Sequence, residues 1–272
     1  MMKRLPAILW LVLALACGGG ESPELVRSAG SEVSPADGSH AGGRAEPAEA
    51  EGASSHSRGD VASRSPKRIP PAASDERPVI LFLGTSLTAG YGLTVDQAYP
   101  ARIQEKLDSA GLRFRVVNAG VSGETSAGGL RRIDWLLQRP VRVLVLELGA
   151  NDGLRGQDPD VMRHNLQEII DRTRARYPDV AIVVAGMEAP PNLGDAYTSR
   201  FRAVFPELAR ANDAALIPFL LEGVAAVPEL NQEDGIHPTA EGQRRIAETV
   251  WRTLEPVLRE IEARSSGDDA AA

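Results

Sequence analysis

Five short apolar runs, each followed by a stretch of helical periodicity, predict an α/β fold: a three-layer αβα sandwich around a five-stranded parallel sheet. Three observations carry this. The runs at 79–83, 114–118, 143–148, 180–185 and, more weakly, 215–219 are apolar almost throughout, as strands covered on both faces are. The intervening helices have readable starts and stops. All of them fall between residues 78 and 264 of a 272-residue chain, a span long enough to bury roughly 70% of its unfolded surface without staples.

The first strand runs directly into Gly84-Thr85-Ser86-Leu87-Thr88-Ala89-Gly90-Tyr91. A buried strand ending in Gly-x-Ser puts a hydroxyl at the carboxyl edge of the sheet, where open α/β folds bind their ligands, so Ser86 is the candidate nucleophile. Pro100 then opens a helix with Ile103 and Leu107 on one face, and Gly111 closes it. The second strand leads into a Gly-rich turn, where Gly120 is a possible backbone donor to an oxyanion because glycine admits close approach of a ligand. A helix over 126–138 carries Leu130, Ile133 and Leu137 at helical spacing and stops before Pro140.

The third strand leaves through Glu147-Leu148-Gly149-Ala150-Asn151-Asp152-Gly153, which offers the Asn151 amide at the same edge and is also an ordinary way to leave a strand. Asp158 as cap and Pro159 at the first position start a helix with Met162, Leu166, Ile169 and Ile170, ended by Pro178; His164 on it reads as a surface residue. A fourth strand precedes the Pro-rich loop 187–194, and a helix near 197–212 contains Pro206. Before the last helix, expected from Thr239 to about Ala263, stands Asp234-Gly235-Ile236-His237-Pro238. An acid three residues before a histidine, in a turn stiffened by proline, can hold one ring nitrogen and leave the other facing a serine. Residues 265–272 read as a short disordered tail.

Outside the domain the composition changes. A net charge of −7 without a basic patch argues against a nucleic-acid partner. A single cysteine, Cys17, rules out an internal disulfide or a Cys-based metal site, and no His-rich cluster suggests a metal; no cofactor is implied. Residues 1–17 read as a signal peptide, with Lys3-Arg4 ahead of an apolar run too short to anchor across a bilayer. Its end, Ala14-Leu15-Ala16-Cys17, resembles a bacterial lipobox, which implies lipidation of Cys17; an ordinary cleavable signal is the alternative. If that resemblance holds, Gly18 and Gly19, rather than Asp, point to the outer rather than the inner membrane of a Gram-negative cell, and the periplasmic side is the expected one. Residues 18–77 are rich in Gly, Ser, Ala, Pro and Glu and have no aromatic residue, so they read as a disordered tether reaching about 40 Å. His40 and His56 fall within it. The protein is expected to be a monomer.

Set side by side, Gly-x-Ser86, the Gly120 turn, Glu147-Leu-Gly-x-Asn151-Asp-Gly-Leu-Arg-Gly156 and Asp234-x-x-His237 make the chain resemble the SGNH (GDSL-type) hydrolases across residues 79–257. It is most similar to the bacterial branch of multifunctional acyl-CoA thioesterases, lysophospholipases and arylesterases. The resemblance implies a flavodoxin-like fold and an acyl ester or thioester substrate. It also implies a Ser86/His237/Asp234 triad, with Ser86, Gly120 and Asn151 as oxyanion donors. The 187–194 loop, with Pro190 and Asn192, would wall an acyl groove that Gly90 and Tyr91 also line. One residue departs from the pattern: Thr85 stands where the family's Gly-Asp-Ser block has Asp, and its hydroxyl can still make a local backbone hydrogen bond. The block also lacks the second glycine of Gly-x-Ser-x-Gly, which excludes the α/β-hydrolase nucleophile elbow. Two other functions stay open at this point: a carbohydrate O-acetyl esterase acting on cell-wall polysaccharide, and a non-catalytic lipid- or glycan-binding lipoprotein.

Overall fold

The computed structural model describes residues 75–271, with side chains through 265. Cys17, His40, His56 and almost all of the expected tether lie outside the described residues. Five strands, β1 (Val79–Gly84), β2 (Arg115–Gly120), β3 (Val143–Glu147), β4 (Ala181–Ala185) and β5 (Ala215–Ile217), form one parallel sheet in the order β2-β1-β3-β4-β5. The helices are α1 (Ser86–Ala89), α2 (Tyr99–Ala110), α3 (Ser126–Leu136), α4 (Ala150–Leu154), α5 (Pro159–Arg176), α6 (Asp195–Ala211) and α7 (Ala240–Ala271). α2 packs on α7, while α3 packs on α5 and α5 on α6, completing the three layers.

The central strands β1 and β3 are buried at every position, which is why their sequences read as continuous apolar runs. Phe82, Tyr99, Ile103, Phe201, Phe205 and Leu144 are among the fully buried side chains that fill the core. No helix among the described residues is long and apolar enough to cross a membrane.

The chain crosses from β1 to β2 on one side and then returns to place β3 on the other. The crevice outside the carboxyl ends of β1 and β3 is therefore the switch point at which such sheets bind ligands. Ser86 follows β1 and Asn151 follows β3, so the topology alone brings them to the same crevice.

Several elements differ from expectation. β2 runs to Gly120, two residues past its expected end, because its pairing with β1 continues until Gly84 faces Gly120. α1 and α4 are too short to show a helical period and were not expected. α7 continues to Ala271 through the segment expected to fray; no proline interrupts residues 265–271, and each added residue contributes one more backbone bond to an existing helix.

Candidate active site

Thr85 caps α1 by accepting the Leu87 N–H on Oγ1 at 3.3 Å, which makes Ser86 the first residue of that helix. Ser86 Oγ lies 3.0 Å from His237 Nε2, and His237 Nδ1 lies 2.6 Å from Asp234 Oδ2. The other Asp234 oxygen accepts the backbone N–H groups of Ile236 and His237, both at 2.9 Å. Burial pushes the Asp234 carboxyl up, but the bonds from the His237 backbone and ring and from Ile236 outweigh it and hold the group below its usual range. An ionised carboxylate only accepts, so Nδ1 carries the proton and Nε2 presents its lone pair to the serine.

The histidine loop is tied to the serine loop at several points. Asn231 and Pro238 form an antiparallel bridge, and the Gln232 N–H donates to the His237 carbonyl at 2.7 Å. Gln232 Nε2 donates to the Tyr91 and Pro238 carbonyls at 2.7 and 3.0 Å. The Tyr91 ring lies over the imidazole with centroids 4.5 Å apart. On α7, buried Gln243 accepts the Tyr99 N–H at 2.8 Å and donates to the Leu87 carbonyl at 3.1 Å, linking the helix after the histidine to α1.

Gly120 does not occupy the place expected of it. It is the last residue of β2, and its N–H donates to Asn118 Oδ1 at 2.9 Å, so that donor is already engaged. It is glycine for a packing reason: a Cβ there would stand 2.2 Å from the Ala89 backbone nitrogen, where α1 crosses the strand end. The loop beyond it supplies the free donor. Gly123 has φ +76°, and its N–H has no partner among the described residues.

That loop is clamped from α4. Asn151 Nδ2 donates to the Glu124 carbonyl at 2.9 Å, and Arg155 Nη2, one helical turn on, donates to the Gly123 carbonyl at 3.0 Å. One Asn151 amide proton is left over. From the other side Arg132 of α3 holds the Glu124 carboxylate, with Nε at 2.7 Å from one oxygen. Behind Asn151, buried Asp152 accepts the Ser126 N–H at 2.8 Å and its hydroxyl at 2.6 Å, and Asn165 donates to that hydroxyl at 3.0 Å. Burial raises the Asp152 carboxyl above its usual range despite these bonds.

Beneath the serine lies Glu147, the last residue of β3, with no exposed surface. It accepts the Thr85 N–H at 2.8 Å, the Thr85 hydroxyl at 3.0 Å and the Thr88 hydroxyl at 2.7 Å. Burial pushes its carboxyl up to about 7 against the pull of these bonds. Gly84 makes room for the cluster, since a Cβ there would sit 2.1 Å from Thr88 Oγ1.

The expected groove residues divide. Tyr91 is half exposed at the site, whereas Gly90 is the buried left-handed cap of α1, with no room for a Cβ beside Ala98, and lines no groove. Asn192 is exposed in a short turn at 191–193 and Pro190 half-buried. Their loop lies beside α4: a Cβ on Gly153 would stand 3.4 Å from Ala189 Cβ. His164 is exposed on α5. Glu147, Gly123 and Arg155 are not among the residues that the sequence pattern marks as catalytic. A longer second strand would have pointed to Gly123, and an acid at the end of an apolar strand marks Glu147.

A profile of the GDSL-like lipase/acylhydrolase family matches residues 82–245. Esterase TesA of Pseudomonas aeruginosa is 42% identical over 181 residues, covering 66% of this chain and 89% of that protein. Thioesterase 1/protease 1/lysophospholipase L1 of Escherichia coli is 38% identical over 188 residues, covering 69% and 86%. Among solved structures, the psychrotrophic esterase EstA of Pseudoalteromonas sp., inhibited by monoethylphosphonate, superposes with a TM-score of 0.63 at 33% identity, covering 66% of this chain and 98% of that one.

The raised Glu147 carboxyl makes folding pH-dependent. Its folded value, about 7, lies above the unfolded 4.5, so the folded state holds the proton more tightly; the resulting stability is present below pH 4.5 and lost as pH rises through 7. The shift corresponds to about 3 kcal/mol. Urea unfolding of wild type and Glu147→Gln should therefore give a stability difference that shifts against the wild type as pH rises across this window. A difference independent of pH would count against the burial of an ionisable group there.

Proposed function

The chain belongs to the GDSL-like lipase/acylhydrolase family and is an ester-hydrolysing enzyme; from that premise we propose that Ser86, His237 and Asp234 carry the reaction. The observation that supports this most directly is the 3.0 Å contact from Ser86 Oγ to His237 Nε2. His237 Nε2 takes the Ser86 proton as Oγ attacks the carbonyl carbon of an ester or thioester. Asp234 holds the Nδ1 proton and stabilises the imidazolium. The tetrahedral intermediate collapses, the leaving alcohol or thiol takes the proton from Nε2, and the acyl group stays on Ser86. Water then attacks the acyl-serine with His237 again as base, releasing the carboxylic acid and restoring the serine.

The oxyanion is received by the Ser86 N–H, the Gly123 N–H and the spare proton of Asn151 Nδ2. The Ser86 and Gly123 donors have no other partner among the described residues, and the Asn151 and Arg155 clamp on the 123–124 carbonyls favours this arrangement. Tyr91 keeps the imidazole plane in place. The relatives' names, an esterase and a thioesterase/lysophospholipase, support acyl esters and thioesters as the substrate class.

We also propose that the enzyme is tethered by residues 18–77 to a lipidated Cys17 in an outer membrane, a reading that rests on the lipobox-like Ala14-Leu15-Ala16-Cys17 and the glycines after it.

Ser86→Ala should abolish hydrolysis of a p-nitrophenyl ester, and Asn151→Ala should lower kcat by about 10²–10³-fold with little change in KM. Full activity of Asn151→Ala would remove it from the oxyanion site. For the anchor, the full chain expressed in a Gram-negative host should partition with membranes and lose that partition as Cys17→Ser. A soluble wild-type chain would contradict lipidation.

A further inference from the structure

The chemistry above makes no use of Glu147, yet this is the most deeply buried carboxyl at the site. Its contacts flank the nucleophile in the chain. Thr85, immediately before Ser86, gives it both a backbone N–H and a hydroxyl, and Thr88, two residues after, gives it another hydroxyl. One carboxylate therefore fixes the turn that carries both the Ser86 hydroxyl and the Ser86 N–H.

The direction of the protons follows from the contacts. Tyr99 OH lies 2.7 Å from Thr88 Oγ1. With the Thr88 proton on Glu147, Tyr99 donates to Thr88, and every donor in the chain points toward the carboxylate. An ionised Glu147 gives every donor in the cluster an acceptor. A protonated acid that donates to Thr88 turns the Thr88 hydroxyl toward Tyr99 and leaves the Tyr99 proton without an acceptor among the described residues. Tyr99, from α2, is the titratable group that faces Glu147; Thr85 and Thr88 face it from the end of β1 and from α1, and no cation contributes. Thr85 adds to the effect, because an Asp at that position would set a second carboxylate against the first, whereas Thr supplies a donor.

We propose that Glu147 is the positioning residue of the nucleophile turn, holding Ser86 through Thr85 and Thr88, and that it acts as a carboxylate. This rests on the reading of Ser86 as nucleophile. Burial disfavours the charge and the threonine donors offset only part of that cost, so the working state of the site is reached only as the carboxyl loses its proton.

The test measures kcat and KM for a p-nitrophenyl ester from pH 5 to 9 in wild type, Glu147→Gln, Thr85→Val, Thr88→Val and Ser86→Ala. Loss of turnover in Ser86→Ala establishes the serine independently of Glu147; retained turnover there overturns the serine reading itself. Glu147→Gln keeps its shape but turns a donor toward donors. It should lower kcat on the order of 10-fold to 100-fold with KM within about twofold. At acid pH log kcat should fall less steeply in Glu147→Gln than in wild type, by the one proton that Glu147 takes up. Thr88→Val should lower kcat and keep the wild-type slope. Overturning results are a folded Glu147→Gln enzyme with kcat within about twofold of wild type, or one with an unchanged acid slope. If Glu147→Gln does not fold, the two threonine variants decide: unchanged kcat in both sinks the proposal.

Discussion

One row across the sheet, Gly120–Gly84–Glu147, governs everything at its carboxyl edge. The first two positions have no room for a side chain, because α1 crosses directly over them, and the third sends a carboxylate underneath that helix. The result is a four-residue helix, far too short to be stable alone, held in one orientation by packing above the strands and by hydrogen bonds from below. Ser86 is its first residue, so the direction of its hydroxyl and N–H follows from the strand register.

The other parts of the site are braced against that helix from separate elements. Gln232 and Gln243 bind the histidine loop and α7 to it, and α4 clamps the loop that follows β2. Three of these braces are side-chain amides donating to backbone carbonyls, contacts that specify position without adding a charge, while the Arg155 guanidinium on the Gly123 carbonyl brings a cation to the loop. The buried charge is set apart in Glu147, whose ionisation works against folding stability while completing the hydrogen bonds beneath the nucleophile. Such opposition between stability and function is common where a site must be preorganised.

Much of this was legible in the chain because the decisive patterns are local. Asp234 and His237 lie three residues apart in one turn, so their contact needs no knowledge of the fold, and Ser86 is marked by the strand that runs into it. The sequence is less legible where position depends on pairing partners. Whether Gly120 ends the strand or begins the loop is settled by Gly84 on the neighbouring strand, and a two-residue difference moved the free donor to Gly123. Gly90 reads as a loop glycine until α1 is seen to need a left-handed cap. Glu147 is visible as an acid ending an apolar strand, but nothing within its own segment announces the two threonines of the Ser86 turn that it holds.

Hydrolysis by this triad requires that Ser86 Oγ form the acyl bond. Incubating the protein with a fluorophosphonate, digesting it and locating the adduct by mass spectrometry tests this directly. The expected result is a single phosphonyl group on the peptide containing Ser86, formed more slowly in His237→Ala. No adduct on wild-type protein, or an adduct on another residue with Ser86 unmodified, would contradict it.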